Sequence, residues 1–251
     1  MTIFNVNHIL EEKGGDIPMN QIYFEKDVIY NENEIFNLIK EQKKDISEQT
    51  LKWILFELLQ NGLLCRIGTK RYIAGLKKYK YELRDVSKSI NEFIETSFPN
   101  VNYTVWESVQ LNEWVNLLLN QNTIFIDVEK ELFDFVVDSL MDEFGKDYTI
   151  LVNPDEDTVA RYRRNNLIII KKLYSRSPMD KKSHLIKLEK LLVDLLCDKN
   201  YISMLDYGAV EDVFEGVKLS YAIDSTKMLN YAKRRGILDK IEKIWGKEND
   251  K

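Results

Sequence analysis

A chain of 251 residues with 41 acidic and 36 basic side chains, a net charge of −5 and 44% apolar residues has the length of one large domain or two ordinary ones. With 10 glycines and 4 prolines it is neither low-complexity nor collagen-like. The longest apolar runs, such as Leu167 to Ile170, are about four residues, far below the ~20 that cross a bilayer. Met1 to Glu12 has no basic start ahead of an apolar stretch, so no secretory signal is expected and a cytoplasmic protein is. Two cysteines (Cys65, Cys197) and two histidines (His8, His184) are too few for a disulfide framework or a Cys/His zinc site.

Charge is uneven along the chain. Residues 1–30 sum to −3, residues 31–80 to +4, and the remaining 171 to −6. Such asymmetry suggests separate jobs for a small basic unit and a larger acidic one. Residues 1–30 are read as an N-terminal extension.

The basic unit opens with Asn31-Glu-Asn-Glu ahead of Ile35, Phe36, Leu38 and Ile39, a helix start with acids in its first turn. This helix is expected to end near Lys44. Ser47 is a good N-cap for a second helix, in which Leu51, Ile54, Leu55, Leu58 and Leu59 form one apolar stripe. Asn61-Gly62 stops it. Leu63 to Ile67 and Arg71 to Ala74 read as strands, with Gly68-Thr69-Lys70 as the hairpin tip.

Helix, helix, hairpin with a basic tip is the layout of a winged helix-turn-helix over 31–80. On that reading Ser47, Gln49, Thr50, Lys52 and Trp53 sit at a DNA major groove. Gln49 has the chemistry to pair with adenine and Lys52 to reach guanine or phosphate. Lys70 and Arg71 on the wing neutralise phosphates. A winged helix also serves as a protein-docking module, and Glu48 on the same face repels phosphate; that alternative stays open.

Beyond Lys77–Tyr81, a hinge or short strand, the spacing predicts a helix over 87–96, ended before Pro99. Strands follow at Tyr103–Trp106, Thr123–Val128, Tyr148–Val152 and Leu167–Lys171, with helices at 111–118 and 132–143 between them. Strands alternating with helices predict a sheet with parallel pairs, with Val105, Ile124, Ile126, Ile150, Val152, Ile168 and Ile170 inside. From Met179 onward the chain reads as helical, including the leucine-rich face around 185–196 and helices at 207–215, 225–235 and 237–245. The fold class expected is α+β: a winged helix-turn-helix followed, over 81–251, by an α/β domain with a small mixed sheet and a helical C-terminal part.

No phosphate-binding glycine loop and no GxSxG elbow is present. Asp127 and Glu129, with Glu107 or Glu113, are the acids that a nuclease-like enzyme would use to hold Mg2+. Asp127-Val-Glu also reads as the charged start of the helix at Leu132. Arg161-Tyr162-Arg163-Arg164 is the densest basic cluster outside the first unit, fit for phosphate or for the acidic surface of a partner, or simply an exposed loop. No cofactor is expected.

The winged-helix start, Val105-Trp106 with Leu111-Asn112, Tyr162 ahead of the Ile168 strand, Ser177-Pro178, the run Leu188-Glu-Lys190-Leu-Leu-Val-Asp194-Leu-Leu196, and Tyr231-Ala-Lys-Arg-Arg235-Gly236 together resemble the AbiEi family from about Asn31 to Trp245. Those proteins are antitoxins of type IV toxin–antitoxin pairs, linked to phage resistance. The resemblance implies a winged helix that binds inverted repeats in its own promoter and represses transcription. It also implies a C-terminal domain that counteracts a nucleotidyltransferase-type toxin without a stable complex, and no enzymatic activity. The chain departs from the family pattern in about 30 additional N-terminal residues and in its acidic balance.

Overall fold

The computed structural model describes residues 22, 24–42, 45–116, 118–162, 166–202, 205 and 207–246. They form an α+β protein with one small antiparallel sheet, one mixed sheet and accompanying helices. Two compact units emerge: Met1–Tyr79 with Lys218–Thr226, and Lys80–Val217 with Lys227–Lys251.

In the first unit, strand β1 (Ile29–Asn31) leads directly into helix α1 (Glu32–Gln42). Asn31 caps that helix reciprocally: Glu34 N donates to Asn31 Oδ1 at 3.0 Å and Asn31 N to Glu34 Oε2 at 2.7 Å. This is the capping box that satisfies two orphan donors at once. Helix α2 (Glu48–Gln60) starts at Ser47, whose hydroxyl accepts from Thr50 N at 3.2 Å. It ends at Asn61 and Gly62, where φ of +70° needs a residue without Cβ. Leu63 N and Leu64 N then turn back onto Leu58 O. That is why β2 runs Cys65–Gly68 and does not begin at Leu63 as the apolar run suggests.

Strand β3 (Arg71–Ile73) pairs antiparallel with both β2 and β1, giving the order β1-β3-β2. The core holds the α2 stripe Leu51, Ile54, Leu55 and Leu58 against Ile35 and Ile39 of α1, with Leu64, Tyr72 and Phe24. Residues 218–226 join this unit through Lys77: its N donates to Ser220 O at 3.0 Å, and its O accepts from Ala222 N at 2.9 Å.

The second unit opens with α3 (Asp85–Ser97) and builds the sheet β4 (Tyr103–Glu107), β5 (Thr123–Val128), β6 (Thr149–Val152) and β7 (Leu167–Lys172). The strand order is β4-β5-β7-β6, with β4–β5 antiparallel and the other pairs parallel. Alternation along each strand assigns side chains to two faces. Val105, Ile124, Ile126, Ile168 and Ile170 pack under Ile90 and Ile94 of α3 and under Val136, Val137 and Leu140 of α4 (Phe133–Phe144). Ile150 and Val152 are only partly buried, because β6 is an edge strand. The opposite face carries Trp106, Phe125, Asp127, Ile169 and Lys171.

Further along the chain come α5 (Glu156–Tyr162), α6 (Leu188–Cys197), α7 (Lys199–Ile202), α8 (Tyr207–Ser220), α9 (Ser225–Arg234) and α10 (Leu238–Trp245). Two helix expectations are corrected. The described residues of 111–118 are not an amphipathic helix; a 3-10 turn covers Ser108–Glu113. Asn112 diverts the backbone there, since its side chain accepts from Leu119 N at 2.7 Å and donates to Leu119 O at 3.1 Å. The helix expected from Met179 begins only at Leu188, because the preceding residues bond to the sheet edge. Val105 N donates to His184 O at 2.8 Å, and Ile186 N to Val105 O at 3.2 Å.

Candidate functional site

In the first unit, α2 buries Leu51, Ile54, Leu55 and Leu58 and turns Gln49, Lys52, Trp53 and Phe56 outward. These recur three and four residues apart and so share the outer face. Ser47 is spent on capping, and its hydroxyl also meets Thr50 Oγ1 at 2.8 Å. Lys52 is exposed but forms an i,i+4 ion pair with Glu48 at 2.7 Å. The hydrogen bond and charge of Lys52 hold the Glu48 carboxyl below its ordinary value, and Glu48 raises Lys52 in return. Trp53 is 38% and Phe56 53% exposed.

The β2–β3 hairpin turns through Thr69 and Lys70. Lys70 has φ of +54°, a left-handed conformation that favours glycine or asparagine. Its ammonium lies 3.5 Å from Glu32, the first residue of α1. Arg71 opens β3, half-buried. The outer face of α2 and the hairpin tip thus each offer cations, and each holds one in an ion pair with a carboxylate.

Arg161 is exposed in the last turn of α5. Arg163 and Arg164 lie outside the described residues.

The carboxylates considered for Mg2+ do not converge. Glu107 lies opposite Ile124 on the face covered by α3, while Asp127 points to the other face. The Glu107 carboxylate accepts from Tyr81 Oη, Arg84 N, Ser87 Oγ and Asn122 Nδ2 at 2.6–3.1 Å. It is a buried hub fastening the start of α3 to β4. Glu129 accepts from Asn102 Nδ2 at 2.6 Å, and Glu113 is exposed at the end of the 3-10 turn. Among the described residues no group of three or more His, Cys, Asp or Glu is placed to hold a metal ion.

Asp127 instead enters a buried charge network that the leucine-rich pattern concealed. Lys190, 1% exposed, is held between Asp127 and Asp194, the latter at 2.6 Å one turn along α6. Asp194 also accepts from Tyr231 Oη at 3.0 Å and pairs with Arg235 Nη1 at 2.7 Å. Burial pulls the Lys190 pKa down, but Asp127 and Asp194 outweigh it and the ammonium ends well above its ordinary value. Beside it Lys171 pairs with Asp198 at 2.5 Å and sits 4.0 Å from the Tyr201 ring centroid. Trp106 Nε1 donates to Tyr201 Oη at 2.7 Å. Three carboxylates thus meet three cations in apolar surroundings, where each charge needs its partner. The network joins β5, β7, α6 and α9. The signal that exposes it in sequence is a Lys and an Asp four apart inside a run with no polar face.

Both thiols are quiet. Burial raises Cys65, and pushes Cys197 up to about 11, so neither is a ready thiolate.

No helix among the described residues is long and apolar enough to cross a membrane. No curated protein matches the chain. A crystal structure of the RV2827C protein from Mycobacterium tuberculosis aligns over 89% of this chain and 78% of its own, at 8% identity and a TM-score of 0.23. The family described as "Family of unknown function (DUF6577)" matches residues 50–251, and the chain belongs to it.

Proposed function

We propose that the first unit is a winged helix-turn-helix that binds duplex DNA, and that the chain is an AbiEi-type regulator and antitoxin acting in the cytoplasm. It represses its own promoter and counteracts a nucleotidyltransferase-type toxin without a stable complex. The observation that carries the DNA reading is the order β1-α1-α2-β2-β3 with strands arranged β1-β3-β2. In that order α2 is the recognition helix and the Thr69-Lys70 turn the wing tip. Gln49 and Lys52 lie on the free face of α2, and its N-terminal turn is exposed, as insertion of a helix N-terminus into a major groove requires. Lys52 and Lys70 reach phosphate by exchanging Glu48 and Glu32 for it, and solvent screening keeps the exposed Lys52–Glu48 pair weak.

The antitoxin half rests on the resemblance of the Leu188–Leu196 and Tyr231–Gly236 segments. The two segments meet in the charge network, which supports reading them as one structural signature. The test is binding of the purified chain to the DNA upstream of its own gene, together with co-expression against the neighbouring gene. Site-specific binding and rescue of growth are expected. A chain that neither shifts that DNA nor relieves toxicity contradicts the proposal.

A second reading, a winged helix that docks on protein, draws on Trp53 and Phe56, two aromatic side chains exposed on the face offered to DNA. Phe56→Ala separates the two, since Phe56 is not among the residues assigned to the groove: it leaves phosphate-driven, salt-dependent affinity in place if DNA is the ligand.

A further inference from the structure

Within residues 81–251, which sum to −6, two segments distant in sequence are nonetheless basic. Residues 172–182 hold four lysines or arginines and one acid, Asp180, and residues 227–236 hold four and no acid. Together they carry +7 in a chain whose net charge is −5.

The fold brings parts of these segments together around Tyr174. Its hydroxyl donates to Arg234 O at 2.8 Å, and Arg234 Nη2 donates to Arg176 O at 2.6 Å. The Arg235 guanidinium lies 4.9 Å from the centre of the Tyr174 ring, and Tyr231 meets that ring edge-on at 6.2 Å. A turn closed by Ser177 N and Oγ on Tyr174 O fixes the backbone beneath it. The ring is therefore anchored at its hydroxyl and against Arg235, yet it remains 43% exposed.

Only one of the surrounding cations is paired with a carboxylate among the described residues. Arg235 is committed to Asp194, but among the described residues no carboxylate pairs with Arg176, Lys233 or Arg234. The Nε of Arg234 is buried without an acceptor. Lys233 and Arg234 in the last turn of α9 are what the helix dipole favours. The dipole explains neither the third cation, Arg176, nor an exposed tyrosine held rigidly among the three.

We propose that this ledge binds single-stranded nucleic acid, with an unpaired base stacked on the open side of Tyr174 and the adjoining phosphates on Arg176, Lys233 and Arg234. An immobilised aromatic ring offers a π-face without the entropy cost of ordering a side chain, and stacking on such a ring tolerates any base. A duplex keeps its base faces inside the stack and leaves the ring unused, whereas unpaired nucleotides present theirs. An acidic protein meets the cations but has no use for the ring. The ledge belongs to the second unit and is independent of the DNA reading of the first.

The test is fluorescence anisotropy of the full chain with a short labelled oligouridylate, the matching oligothymidylate and a duplex of the same length, at low and physiological salt. Both single strands, or one of them, bind more tightly than the duplex when measured on a Lys52→Ala, Lys70→Ala background. The tighter strand identifies the sugar preferred. Tyr174→Ala weakens binding about tenfold, while Tyr174→Phe, which keeps the ring, stays close to the unmodified chain. Arg176→Ala with Lys233→Ala lowers the dependence of log affinity on log salt by roughly 0.7 per lost phosphate contact. Thermal melts establish that the variants fold, and Arg176→Glu at an exposed position serves if Tyr174→Ala does not. Absence of single-strand binding at low salt overturns the proposal. So do affinity untouched by Tyr174→Ala and Arg176→Glu, equal binding of the duplex, and displacement by polyglutamate as efficient as by oligonucleotide.

Discussion

Lys190 and Asp127 lie 63 positions apart in the chain and share a buried ion pair. It fixes the centre of the leucine-rich helix α6 to the mixed sheet. Asp194 extends the pair to Tyr231 and Arg235, so three separate stretches of sequence depend on one another. Lys190→Met removes the cation between two buried carboxylates and is expected to cost about 3–5 kcal/mol. Adding Asp127→Asn recovers part of that loss, because one unpaired charge disappears with it. Urea unfolding of the single and double variants measures the coupling. A loss below about 1 kcal/mol in Lys190→Met contradicts the pairing.

The same network sets the response to alkali. Burial is the main cause that pushes Tyr231 up to about 12, against about 10 in an unfolded chain. Between those values the unfolded chain has released a proton that the folded one keeps, so stability falls as pH rises. Lys190 acts in the same direction. Its folded value is raised, so its contribution is complete below about 10.5 and is lost only as pH climbs through the folded value. Stability measured from pH 9 upward is expected to decline beyond about 10. Tyr231→Phe reduces that slope by up to about 1.4 kcal/mol per pH unit. An unchanged slope in that variant contradicts the assignment.

On the proposed DNA reading of the first unit, Glu48, which pairs with Lys52 at 2.7 Å, would compete with the duplex for it. Glu48→Gln frees the ammonium and removes a negative charge from the reading face. Affinity for upstream duplex is expected to rise about three- to tenfold at low salt, and less at high salt, where screening already weakens the repulsion. A fall in affinity places the DNA elsewhere.

Lys70 separates stability from binding. At its φ of +54° a glycine relieves strain of about 1 kcal/mol while deleting the charge. Lys70→Gly is expected to keep or raise the melting temperature and to weaken DNA binding. Parallel loss of both makes Lys70 structural.

What the sequence made legible follows from how local each signal is. The α2 stripe, its Ser47 cap and its Gly62 stop lie within one short window, and the structure places them as expected. The parallel strands were legible because β7 is a continuous apolar run, Leu167–Ile170, all four residues buried. β1 escaped notice because three residues with an exposed Ile29 have no periodicity to show. Its register is set by β3, 42 or so positions on. The helix expected over 111–118 failed through one side chain, since Asn112 satisfies the backbone of Leu119 in place of a helical turn. The sequence shows no partner for Lys190 and Asp194, because Asp127 and Lys171 lie on the sheet face opposite them, in distant stretches of the chain. Glu107 and Asp127 seemed close for the same reason in reverse, because proximity in sequence does not reveal opposite faces of one strand pair.

The measurement that bears most directly on the account is the salt dependence of upstream-duplex binding in the unmodified chain and in Lys52→Ala, Lys70→Ala. Duplex binding through phosphates gives a steep decline of log affinity with log salt. The double variant is expected to bind more weakly, with a slope shallower by about 1.8, or roughly 0.9 for each lost contact. An identical slope and affinity in the two chains removes α2 and the hairpin tip from the interface and leaves the first unit as a protein-docking module.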